Sequence, residues 1–79
     1  MAKTNNIVHQ YYKKEFESIT ILVRVNPILF RGTEITLLSN GQKELRELEF
    51  DENIEEDLKT DGFRISSPLE FNLHLSGLV

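Results

Sequence analysis

The chain has 79 residues, no cysteine and a formal net charge of −4. A chain of this size makes one small domain that buries only roughly 60–65% of its unfolded surface, so its core is thin. The missing cysteines exclude disulfides and thiolate metal sites, and the acidic balance weighs against nucleic-acid binders.

The charge is uneven. Residues 1–32 carry five basic and two acidic side chains, and residues 33–79 carry four basic and eleven acidic ones. Met1 to Asn6 opens no apolar run of signal-peptide length, and no stretch approaches the roughly 20 apolar residues of a membrane span. The expectation is a cytoplasmic chain without membrane association.

Residues 4–17 carry a helical stripe: Ile7 and Tyr11 are four apart, as are Val8, Tyr12 and Phe16. Thr4, Asn5 or Asn6 would cap such a helix. The β-branched pair Ile7-Val8 and the Tyr-Tyr step suit a strand instead, and the stripe favours an N-terminal helix. Ile19 to Val25 reads as a strand, with Ile19, Ile21, Val23 and Val25 on one face and Leu22 marking cover on the other. Asn26-Pro27 ends it, because proline cannot donate to a ladder. Arg31-Gly32-Thr33 reads as a turn.

Glu34 to Ser39 is a short strand leading into Asn40-Gly41, a strong hairpin signal. A three-residue loop, Asn40-Gly41-Gln42, sets Leu37 opposite Leu45, and the spacing of Leu45 and Leu48 then requires a bulge near Arg46-Glu47. A helix from Gln42, boxed by Ser39 and Gln42, is the rival; the parity of Leu48 and Phe50 favours the strand. Asp51 to Asp61 reads as a helix capped by Asp51, with Glu52, Glu55 and Glu56 at its positive end, a Glu55–Lys59 pair, and Gly62 in the left-handed position that stops it.

From Phe63 to Leu75 the alternation is longest. Phe63, Ile65, Leu69, Phe71, Leu73 and Leu75 share one parity, while Arg64, Ser66, Pro68, Glu70, Asn72 and His74 share the other. That pattern predicts a strand with one buried and one wet face. The expected fold is therefore α+β: a small single-layer antiparallel sheet of about four strands, one covering helix over 51–61 and an N-terminal helix, all within one domain spanning 1–79.

The wet row sets Glu70, Asn72 and His74 side by side as the tightest polar constellation and the candidate ligand site. The acidic residues of 51–61 do not fit an EF-hand loop, since Glu56 stands where that loop needs glycine. The four glycines are scattered singly, so no phosphate-cradling loop is present, and the serines form no nucleophile motif. No catalytic residue, metal site or cofactor is expected. One helix on one sheet face leaves Leu22, Ile28, Phe30 and Leu38 as candidates for an interaction surface. The function this favours is a small non-enzymatic interaction or structural module that self-associates, its partner being a second copy or another protein. A small-ligand or divalent-metal-binding protein is the alternative. A nucleic-acid accessory role, through the basic first third, comes last.

Overall fold

The computed structural model describes residues 8–77. Five strands and two helices follow in chain order: β1 Gln10–Phe16, β2 Ile19–Asn26, β3 Arg31–Leu37, β4 Lys43–Glu49, α1 Ile54–Thr60, β5 Arg64–Ile65 and α2 Pro68–Ser76. The strands form one sheet in the order β4-β3-β2-β1-β5, antiparallel throughout. The first four make a meander, and the chain then returns through α1 to the far edge. The α+β class is as expected, with five strands rather than about four.

The expected N-terminal helix is replaced over residues 10–16 by β1. The proposed caps Thr4, Asn5 and Asn6, with Ile7, lie outside the described residues. Tyr11 and Tyr12 point to opposite faces and both find cover: Tyr12 packs with Val23, Val25 and Leu58, and Tyr11 meets Phe71 edge-on at 5.6 Å between ring centroids. A strand buried on both faces loses its two-residue alternation, so the apolar spacing that remained mimicked a helix.

The central β2 has neighbours on both sides and cover on both faces. Val23 and Val25 sit with Tyr12 and Leu58 under α1, with Ile21, Phe50, Ile54 and Phe63 packed around them. On the other face Leu22 and Ile35 sit with Phe71 of α2. Each helix thus closes one face, where a single covering helix was expected.

The Phe63–Leu75 ribbon is the largest correction. Only Arg64–Ile65 is strand; Pro68–Ser76 is helix. The Ser67 hydroxyl accepts the backbone N–H groups of Leu69 and Glu70, Pro68 occupies the first turn, where its missing N–H costs nothing, and Gly77 closes the helix at φ +80. Ser67 and Glu70 have the spacing of a capping box, which outweighs the accidental parity of the leucines. Leu69 is 67% exposed while Phe71 is 1% exposed, so the odd row does not share a face.

Smaller differences follow from turn chemistry. β3 begins at Arg31, so Arg31-Gly32-Thr33 is strand; the turn is Pro27–Phe30, held by Asn26 Oδ1, which accepts from the N–H groups of Ile28 and Leu29. The β3–β4 loop has three residues, as expected, but is Ser39-Asn40-Gly41, with Gly41 at φ +88. This pairs Leu37 with Lys43 and Ile35 with Leu45, without a bulge. α1 starts at Ile54, later than Asp51, whose carboxylate instead accepts from Asn53 N–H in the preceding turn. Glu55 accepts the Tyr12 hydroxyl at 3.0 Å, so it anchors α1 to β1. Gly62 takes the expected left-handed conformation, at φ +95.

Candidate functional site

Two features stand out: the free edge of the sheet at β4, and a polar cleft where β2 and β3 meet the start of the described chain.

Among the described residues β4 is paired on one side only, with β3. The bonds Leu38 N–H to Gln42 O (2.8 Å) and Phe50 N–H to Phe30 O (2.7 Å) bracket that ladder. Hydrogen-bonded pairs recur every second residue, so Glu44, Arg46 and Leu48 turn their backbone groups towards β3. Lys43, Leu45, Glu47 and Glu49 turn theirs outward. Neither helix covers the strand, and Leu45, its third residue, is 53% exposed. Arg46 pairs with Glu34 at 3.1 Å, and Lys43 Nζ donates to the His74 carbonyl at 2.6 Å. The edge is therefore rigidly presented: β3 holds it along its length and the C-terminal end of α2 holds one end.

The cleft has a volume of about 150 Å³ and is lined by His9, Arg24, Asn26, Arg31, Thr33 and Glu47, among others. Arg24 stacks over Phe71 at 5.2 Å and its Nη2 donates to Thr33 Oγ1 at 3.4 Å. Thr33 in turn donates to Glu47, 2.9 Å from the nearer oxygen. Among the described residues neither Arg24 nor Arg31 lies within ion-pair distance of a carboxylate. Burial, and after it the Arg24 charge, hold His9 below its ordinary pKa, so its imidazole is neutral at pH 7. None of this was visible in the sequence, where these residues lie up to 38 positions apart and only strand pairing gathers them.

The Glu70, Asn72 and His74 constellation does not survive the change from strand to helix. Asn72 is exposed, about 200° around α2 from Glu70. Glu70 and His74, four apart, share a side of α2, but Glu70 is occupied: it accepts from Lys13 Nζ at 2.6 Å and from Ser66 Oγ at 3.1 Å. The Lys13 bond first, and the other contacts after it, hold its carboxyl below the usual range. This pair fastens α2 to β1. Among the described residues no three histidine or carboxylate groups gather as metal ligands.

Of the expected surface residues, Leu22 is 1% exposed beneath Phe71 and belongs to the core. Leu38 is half-buried beside the β3–β4 loop. Ile28 and Phe30 are exposed, with Leu29, at the tip of the β2–β3 hairpin. Among the described residues no helix is long and apolar enough to cross a membrane. Comparison with protein-family models, curated proteins and solved structures finds no match at the similarity required, so any reading of function stands on the residues themselves.

Proposed function

We propose that this chain is a small non-enzymatic interaction module that self-associates, and that its working surface is the β4 edge. The observation that carries this is a seven-residue strand with one row of backbone donors and acceptors unpaired among the described residues and a half-exposed leucine, Leu45, within it. An open edge of this length is a template for another strand unless something blunts it. With α2 covering Leu22, the apolar sheet face no longer requires a partner, and the case for assembly moves to the edge. Sedimentation velocity from micromolar to near-millimolar chain concentration tests it. A concentration-dependent rise from monomer to dimer is expected, and a monomer at every concentration overturns the proposal.

The cleft supports a second reading, binding of a small anion. Arg24, Arg31 and His9 line it, beside the Glu47 carboxylate, and the fork of an arginine matches a carboxylate or phosphate in two parallel bonds. Thermal melts in phosphate, sulfate and acetate against chloride at matched ionic strength decide it. A rise confined to the oxyanions, and abolished by Arg24→Met, supports the site; equal midpoints dispose of it.

A further inference from the structure

The edge residues specify how two copies would meet. We infer that β4 pairs with β4 of a second copy, antiparallel, about a two-fold axis through Leu45; this rests on the self-association proposed above. Two antiparallel strands must place outward-facing groups opposite outward-facing groups, which restricts the two-fold to a residue rather than a point between residues. Each such register sets one residue against itself. Centring on Lys43, Glu44, Arg46, Glu47 or Glu49 opposes two like charges at the axis. Centring on Leu48 sets Glu47 against Glu49 of the second copy twice.

Only the Leu45 register is free of such oppositions along the strand. It sets Leu45 against Leu45, Glu44 against Arg46 of the second copy twice, and Lys43 against Glu47 of the second copy twice. Opposite charges facing each other across a strand pair attract and like charges repel, so this register gains without loss, whereas the Arg46 register sets its axial repulsion against Lys43 facing Glu49 twice and the others only lose. Backbone chemistry agrees. Lys43, Leu45 and Glu47 are among the residues whose N–H and C=O groups point outward, so each opposed pair among them exchanges both bonds. Leu45 also continues a rung already present, since Leu22 pairs with Ile35 and Ile35 with Leu45. The two-fold joins that rung to its copy and makes one ten-stranded sheet. Charged residues on an edge ordinarily discourage pairing. Here they discourage every register but one.

The chain lacks cysteine, so single cysteines introduced along β4 report the register by short thiol-to-thiol cross-linking of the dimer. Leu45→Cys is expected to cross-link efficiently, and Lys43→Cys and Glu49→Cys far less. Each of those lies four residues or more, roughly 13 Å or further along the strands, from its own mate. Charge reversal provides an independent readout. Glu44→Arg and Arg46→Glu are each expected to be monomeric, and to form a mixed dimer when combined, because every opposed pair is then of opposite sign. Should Arg46→Glu misfold beside Glu34, Lys43→Glu mixed with Glu47→Lys performs the same complementation. A wild-type dimer without cross-linking at position 45 and without complementation overturns this register while leaving self-association intact. A strictly monomeric wild type overturns both.

Discussion

β2 and β4 are strands of nearly equal length in the same sheet, and they live in opposite environments. β2 has strand neighbours on both sides and a helix over each face; Leu22, Val23 and Val25 are at most 1% exposed. Among the described residues β4 has one neighbour and no helix over it, and its Leu45 is 53% exposed. Stability therefore concentrates around β2, while β4 is held mainly by its ladder to β3. A strand fixed by backbone bonds but poor in buried side chains suits recognition, because changing its side chains costs the fold little.

That contrast can be broken from either end. Phe71→Ala removes the ring that closes one face over Leu22 and Ile35. It should cost about 3–5 kcal/mol, enough to unfold a domain of this size, as read by urea denaturation. Gly32→Ala acts by crowding: an added Cβ would lie 2.5 Å from the Arg24 carbonyl oxygen and 2.5 Å from the Phe50 ring. The carbonyl is backbone and cannot step aside, so a loss of about 1–3 kcal/mol is expected in the same assay.

Tyr12→Phe sharpens the account of the α1 face. Burial first, and then the bond to Glu55, push the Tyr12 hydroxyl up to about 12. The folded chain thus holds that proton more tightly than the unfolded chain, whose value is 10.0. The associated stability is complete below the unfolded value and is lost as pH rises through the folded one. The substitution should cost about 1–2 kcal/mol at neutral pH, and the variant's alkaline unfolding should be less steep than the wild type's.

Glu70→Gln probes the clasp between α2 and β1. The folded carboxyl lies below its ordinary value, chiefly through the bond to Lys13. Its contribution is therefore present above the unfolded pKa and lost as pH falls through the folded one. A loss of about 1 kcal/mol or less at neutral pH is expected, with a flatter acid limb in melts taken across the carboxylate range. Leu45→Ala should be the mildest for the monomer, within about 0.5 kcal/mol in dilute solution, because its side chain is half in water. The same variant should weaken concentration-dependent association. A large loss of monomer stability would mean that β4 belongs to the core after all.

Much of the local structure was legible. Ile19–Asn26 shows clear alternation, and Leu22 on its second face announced cover there. Asn26-Pro27, Asn40-Gly41 and Gly62 marked real boundaries, because they constrain backbone geometry whatever packs around them. Asp51–Asp61 was rightly helical, though shorter. The side-by-side arrangement expected of Glu70, Asn72 and His74 was lost, because an error of secondary structure moves every side chain: Glu70 and Asn72 are neighbours on a strand and opposed on a helix.

What the residues determined by themselves is the punctuation and the composition: where the chain turns, where helices can begin and end, and that the class is α+β. Those effects act between atoms a few positions apart. Tertiary structure alone decided that residues 10–16 are a strand, since two adjacent tyrosines had to enter two different cores. It also decided that Lys43–Glu49 lies at the rim and that Arg24 meets Thr33 and Glu47. Burial and strand order join residues distant along the chain, and the free energy of those contacts outweighs local periodicity.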